Sequence, residues 1–230
     1  MHKLYIVGTP IGNLEDISPR ALHILDAVRT IASENPARTR RLLDRYRIET
    51  PMLRFTDAYD RKKEPRLRAV LAALKAGDVA LVSEAGMPLV ADPGYELMQV
   101  VRERDVEVEV VPGPTALSAA LAASGLQTTP FTFLGFMPRK SQARQSLLAP
   151  YASDARTLVL YESPNRLLET LRDALAVLGE RRVAVANELT KMYESMWRGT
   201  LEGAVTHWTE NEGRGEYVVV IGGRQNDTTC

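Results

Sequence analysis

Five short segments rich in glycine and proline each follow an apolar, strand-like run: VGTPIGN (residues 7–13), SEAGMPLVADPG (83–94), VPGPTA (111–116), FLGFMPRK (133–140) and YESPNR (161–166). Glycine lets a main chain approach a ligand closely, and proline fixes its local direction. In open α/β sheets, ligands bind at the carboxyl ends of the strands. The pattern therefore describes a cleft that grips a compact ligand through main-chain groups. VGTPIGN lacks the GxGxxG spacing, and no GxxxxGK[ST] occurs, so a dinucleotide fingerprint and a P-loop are both disfavoured. SEAGMPLVADPG carries two glycines and two prolines in twelve residues, more than a plain connection needs. In VPGPTA, Pro112 and Pro114 stiffen the turn, and Thr115 and Ala116 put small atoms at a helix start, where a ligand can come close.

Other chemistries find no support. His2, His23 and His207 have no ligand spacing among themselves or with Cys230, so no metal is expected. No nucleophile-elbow sequence points to hydrolysis. Basic residues cluster three times: five arginines against one aspartate in residues 38–47, five basic residues against one glutamate in 61–68, and Arg139, Lys140 and Arg144. Lys plus Arg (29) balances Asp plus Glu (29), so a polyanion-facing patch must be local.

The elements that would carry these segments alternate. Residues 3–8 read as a strand, and Ile17-Ser18-Pro19 opens a helix with Ser18 as N-cap, Pro19 at the first position and Ile17 packing on Leu22. Leu67, Val70, Leu71 and Leu74 form a helical stripe that Gly77 ends, and residues 79–83 form the next strand. Asp92-Pro93 is expected to cap a helix bearing Leu97, Val100 and Val101; a strand follows at 106–111, and a helix starts at Pro114. After residues 125–130 a second set begins, with strands at 131–136, 157–161, 183–187 and 217–222. A helix opened by Ser163-Pro164 buries Leu167, Leu168, Leu171, Leu175 and Leu178.

Alternation of this kind predicts an α/β protein of two α/β domains with mostly parallel sheets and an inter-domain cleft: residues 1–118, residues 119–224, and a polar tail at 225–230. With 230 residues and 45% hydrophobic content, the chain can bury a full core. The single cysteine, the absence of an apolar run long enough to span a bilayer, and a start that leads directly into a strand give the expectation of a soluble cytoplasmic protein.

In order, LYIVGTPIGNLEDISPRAL, ARTRRLL, SEAGMPLVADPG, VVPGPTALSAALAASGL, FLGFMPRK, YESPNRLL and NELTKMYE resemble the tetrapyrrole-methylase superfamily of S-adenosylmethionine (SAM)-dependent methyltransferases. Within it they resemble most the ribosomal small-subunit RNA methyltransferase I family, which 2′-O-methylates a cytidine of 16S rRNA. The resemblance implies SAM as methyl donor, rRNA or the small ribosomal subunit as partner, and a homodimer; no membrane partner is expected, since no apolar run is long enough to span a bilayer. Carried over by motif, it implies that Pro10, Gly86, Met87, Val90, Thr115 and Ala116 line the cofactor from the first domain, and Tyr161 and Ala186 from the second. Arg38, Arg40, Arg41, Arg139, Lys140 and Arg166 are the implied substrate contacts. For methyl transfer to a ribose hydroxyl, Glu34, Glu162 and Glu188 are the candidate proton acceptors, with Glu34 and Glu188 favoured, and Lys191 could orient a phosphate or the nucleophile.

Some motifs depart from the RNA-methylating pattern. E-D-T-R is here Glu34-Asn35-Pro36-Ala37, S-D-A-G-T-P is SEAGMP, H-E-H-N is Thr56-Asp57-Ala58-Tyr59, and R-E-L-T-K is Asn187-Glu188-Leu189-Thr190-Lys191. These differences keep two alternatives open: a methyltransferase for a small tetrapyrrole-like acceptor, and a non-catalytic SAM- or RNA-binding paralogue.

Overall fold

A computed structural model of the chain describes residues 1–56 and 63–224. Asp57, Ala58 and Tyr59 of the altered motif, Arg61 and Lys62 of the second basic cluster, and the tail at 225–230 with Cys230 lie outside the described residues. The chain forms two compact units, Met1–Thr115 and Ala116–Cys230.

The first unit contains β1 (Leu4–Val7), α1 (Pro19–Ala27), β2 (Thr30–Ser33), α2 (Pro36–Arg45), β3 (Met52–Arg54), α3 (Lys63–Ala76), β4 (Val79–Val82), α4 (Tyr95–Glu103) and β5 (Val108–Val111). Its strands form one sheet in the order β3-β2-β4-β1-β5, and every pairing is parallel. All four residues of β4 are buried, as a central strand covered on both faces requires. Ala80 and Val82 pack with Ala21, Leu25, Leu42 and Leu43 of α1 and α2, while Val79 and Leu81 pack with Val70, Leu74, Leu97 and Val101 of α3 and α4. The two-residue alternation of a strand thus divides one apolar run between two helical layers.

Local signals set the helix starts. The Ser18 hydroxyl accepts from the Ala21 N–H at 3.1 Å, with Pro19 first in α1. Asn35 caps α2 in the same way, accepting from the Arg38 N–H at 3.3 Å, with Pro36 following. The expected Asp92-Pro93 start is displaced: α4 begins at Tyr95, and Gly94, at φ +130°, is its N-cap. A side chain is poorly tolerated in that backbone conformation, so the glycine ends the loop and Asp92 stays inside it.

The second unit contains α5 (Ala116–Ala123), β6 (Phe131–Phe136), α6 (Ser141–Leu148), β7 (Thr157–Glu162), α7 (Leu167–Leu178), β8 (Arg182–Asn187), β9 (Ser195–Thr200), α8 (Leu201–Glu210) and β10 (Tyr217–Ile221). Its sheet runs β6-β7-β10-β8-β9. The β6–β7 pair is parallel, whereas β10 runs antiparallel to β7 and β8, and β9 antiparallel to β8. Most pairings over the two sheets are parallel, as alternation predicts, and the antiparallel ones are confined to this unit. They arise because β8 reaches its antiparallel neighbour β9 through a short loop, and the last strand is inserted at the middle of the sheet rather than at its edge. Leu158, Leu160, Leu167, Leu171, Val183, Val185, Val219 and Ile221 are among the residues of its core. β7 and β8 run in the same direction, so residues 137–140, 162–166 and 188–191 gather at one edge of this sheet, together with Gly215 and Glu216 before β10.

Candidate functional site

In the first unit the glycine-bearing loops follow β4, β1 and β5, three adjacent strands of a parallel sheet, so all three emerge at one edge. They are tied together. Thr9 and Gly86 exchange main-chain hydrogen bonds, Thr9 N to Gly86 O at 2.8 Å and Gly86 N to Thr9 O at 3.1 Å. A Cβ on Gly8 would lie 2.6 Å from both the Gly113 N and the Met87 Sδ, and one on Gly113 would lie 2.7 Å from the Gly8 carbonyl carbon. Gly86 sits at φ +82°, where a Cβ would meet Ile11 and the Pro114 carbonyl. Pro10 is buried beside this junction, Met87 covers Gly8, and Val90 is 39% exposed further along the same loop. Thr115 closes the unit, and Ala116 opens α5 in the next. The backbone also adopts positive φ at Leu89 (+73°) and Ala91 (+64°), an unusual density of strained positions in one loop.

Along the same edge, beyond β4, lie the ends of β2 and β3. There a cavity of about 440 Å³ is lined by Glu34, Asn35, Pro36, Arg54, Thr56 and Glu84. Glu34 Oε2 accepts from the Glu84 N–H at 3.1 Å, and Arg38 binds Glu84 Oε1 at 2.6 Å. Asp92 belongs to this group. Burial, reinforced by the negative charge of Glu34 and then of Glu84 and opposed by a hydrogen bond from Ser83, pushes its carboxyl up to about 6. The sequence reading gave Asp92 only a capping role, and the clustered glycine, proline and acid of ADPG were the signal for more. Arg54 was also missed, because β3 is only three residues long.

The first basic cluster is largely neutralised: Arg38 pairs with Glu84, Arg40 with Asp44 at 4.0 Å, and Arg45 with Glu15 at 3.6 Å. Arg41 is exposed. In the second cluster Arg68 pairs with Glu64, and Arg66 donates to the Thr56 carbonyl.

In the second unit Tyr161 lies against Phe133 and Phe136 in edge-to-face contacts, and its hydroxyl accepts from the Leu117 N–H at 3.1 Å in the first turn of α5. Ala186 is fully buried within β8, between β9 and β10, and presents no accessible surface to a ligand. Glu162, a candidate proton acceptor, is 2% exposed and accepts from the Ser163 N–H, Arg166 and the Thr170 hydroxyl, which makes it a brace. Arg166 donates to Glu162 and to the carbonyls of Met137 and Pro138, so its guanidinium holds a loop. Arg144, grouped with Arg139 and Lys140 in the sequence, is 2% exposed and paired with Asp173; an inward guanidinium is no part of a surface patch. Arg139 and Lys140 remain exposed beside it.

Glu188 Oε1 accepts from the Glu216 N–H at 2.9 Å and from Lys191 Nζ at 2.8 Å, and Lys191 also binds Glu216 at 2.7 Å. Burial works against the Lys191 ammonium, but the hydrogen bonds it donates to Glu188 and Glu216 raise its pKa, so it stays a cation. Each unit therefore brings its own candidate residues to one sheet edge. Among the described residues no cluster of three or more His, Cys, Asp or Glu could hold a metal ion, and no helix is long and apolar enough to cross a membrane.

The family described as Tetrapyrrole (Corrin/Porphyrin) Methylases matches residues 3–205. A Synechocystis protein named Ribosomal RNA small subunit methyltransferase I is 47% identical over 222 residues, covering 96% of this chain and 78% of that protein. Its namesake from Thermotoga maritima is 45% identical over 226 residues, 98% of this chain and 100% of that one. Among solved structures, the uroporphyrin-III-C-methyltransferase of Thermus thermophilus matches with a TM-score of 0.68 at 23% identity, covering 96% of this chain and 94% of the other, a likeness of fold.

Proposed function

The chain belongs to the tetrapyrrole (corrin/porphyrin) methylase family and is a SAM-dependent methyltransferase, and on that premise we propose that it 2′-O-methylates a cytidine ribose in the RNA of the small ribosomal subunit. The observation that carries this reading is the shared edge of the first sheet. The loop after β4 borders both the glycine junction at Gly8, Gly86 and Gly113 and the cavity holding Glu34, Arg54 and Glu84. A donor site and an acceptor site built on one loop suit a direct transfer, in which positioning lowers much of the barrier.

The junction suits SAM, because the close packing of Gly8 on Gly113 and the Thr9–Gly86 main-chain pair hold three loops together, so that several main-chain N–H and C=O groups can serve one compact ligand. Pro10, Gly86, Met87, Val90 and Thr115, all of the first unit, would hold the cofactor. When bound, SAM supplies an electrophilic methyl group to the acceptor oxygen and leaves as S-adenosylhomocysteine. Asp92 and Glu34 form the proton-accepting pair: Asp92, its carboxyl raised by burial and by the charge of Glu34, takes the hydroxyl proton as the oxygen–carbon bond forms. Arg54 at the cavity and Arg41 on α2 attract the neighbouring phosphates. In the second unit Arg139 and Lys140 serve the RNA backbone, and the Glu188–Lys191 pair orients the acceptor strand. We place the protein in the cytoplasm, as a homodimer, on the strength of the family likeness.

The test incubates the protein with radiolabelled SAM and small subunits from a strain lacking the modification. Label in a nuclease-resistant, 2′-O-methylated cytidine supports the reading. Label in a tetrapyrrole alone, or SAM binding without any transfer, would replace it with one of the two alternatives.

A further inference from the structure

Residues 137–140 follow β6 and lead into α6. Consecutive main-chain carbonyls there are held by two guanidinium groups from beneath. Arg166 donates to the carbonyls of Met137 and Pro138, and Arg144 to those of Pro138 at 3.3 Å and Arg139 at 2.8 Å. Arg144 is in turn fixed by Asp173 of α7, Nε to Oδ2 at 2.7 Å, and reaches Glu169 at 3.4 Å. The other carboxylate oxygen of Asp173 accepts from Ser141 at 2.7 Å and Gln145 at 2.8 Å, both on α6. Burial pushes the Asp173 carboxyl up, but the hydrogen bonds from Gln145, Ser141 and Arg144 outweigh it and hold the group below its usual range.

A buried ion pair is a poor source of stability, since apolar residues of similar volume often serve as well or better. The pair here satisfies something an apolar core could not: carbonyl groups of a loop whose next two side chains, Arg139 and Lys140, are exposed. Many other arginines and lysines of the molecule, including Arg38, Arg40, Arg45, Arg156 and Lys191, sit against acids. We propose that Arg144 and Asp173 are positioning residues for the RNA acceptor, fixing the main chain of residues 137–140 so that Arg139 and Lys140 are presented together to RNA phosphates. This rests on the reading of RNA as acceptor. Preorganising two flexible cations on a fixed backbone removes part of the ordering cost of binding.

Three variants test it: Asp173→Asn, Arg144→Met with Asp173→Leu, and Arg139→Ala with Lys140→Ala. The apolar pair should stay folded and bind SAM as the parent does. Its KM for unmethylated small subunits should rise about tenfold with kcat nearly unchanged. The slope of log affinity against log salt should flatten by about 1.4, two contacts at about 0.7 each. Adding Arg139→Ala and Lys140→Ala to that background should cost far less than in the parent, because the contacts are already lost. A merely structural pair would lower the melting temperature and leave KM, slope and additivity alone, which overturns the proposal. If the apolar pair does not fold, Asp173→Asn is judged by the same criteria. A parent protein that binds subunits without salt dependence refutes the RNA reading itself, a result distinct from a parent that binds and variants that match it.

Discussion

Gly8 and Gly113 face each other so closely that a Cβ on either would fall within 2.7 Å of the other's main chain. They lie in the loops that follow β1 and β5, adjacent parallel strands, and their contact closes the floor of the proposed donor site. Gly113→Ala should therefore force the two loops apart at a cost of about 1–3 kcal/mol, typical of overpacking. Calorimetric titration should show SAM affinity falling more than thermal unfolding alone explains. A variant with parental SAM binding would mean the donor lies elsewhere.

Asp92 should give the reaction an acidic limb. Its carboxyl is raised to about 6, so it carries a proton below that pH and can accept one above it. The plot of kcat/KM against pH should rise through about 6 and level off, and Asp92→Asn should abolish the limb along with roughly 10²-fold or more of the rate. Glu34→Gln removes one of the charges that raise Asp92, so any remaining limb should move to lower pH. The stability effect has the matching sign. A carboxyl raised in the folded state favours folding most below its unfolded value, and that contribution is lost as pH rises through about 6. Asp92→Asn should therefore flatten stability against pH between about 4 and 6.

Much of this was legible before the fold was known. The loops were found because glycine and proline at strand ends have a direct mechanical meaning, and Ser18-Pro19 declared α1 for the same reason. The region of β2, α2 and β3 was not assigned: its strands are three and four residues long, and α2 hides two buried leucines among five arginines of the stretch 38–47. Charge patterns misled most. Composition counts Arg144 with its neighbours Arg139 and Lys140, but only tertiary contact with Asp173, twenty-nine residues away, decides that it faces inward. The strain at Leu89 and Ala91, and with it the place of Asp92, is likewise a product of packing that no local preference announces.

Arg54 stands at the end of β3, exposed, beside the carboxylates of Glu34 and Glu84. As a phosphate contact it should matter to RNA and not to SAM. Arg54→Ala should raise KM for subunits several-fold and flatten the salt slope by about 0.7, the share of one phosphate on a single strand. Arg54→Lys should restore much of the slope, since a point charge suffices for counterion release. Competition binding of subunits across a salt series measures both. An unchanged slope in Arg54→Ala would remove Arg54 from the interface.

Glu188 is held from two sides, by the Glu216 N–H and by Lys191, and its side chain passes over the Cα face of Gly215. Gly215 lies at φ +82°, and a Cβ there would fall 2.5 Å from the Cγ, Cδ and Oε1 of Glu188. Gly215→Ala must then both strain its own backbone and expel the carboxylate from its partners. If Glu188 acts through this fixed placement, Gly215→Ala should reproduce the kinetic defect of Glu188→Gln. The double variant should be little worse than either, because neighbours that share one interaction are not additive. Single-turnover methylation of subunits by the two single variants and the double one gives the comparison. Independent, additive losses would show that Gly215 serves the loop alone and that Glu188 needs no such constraint.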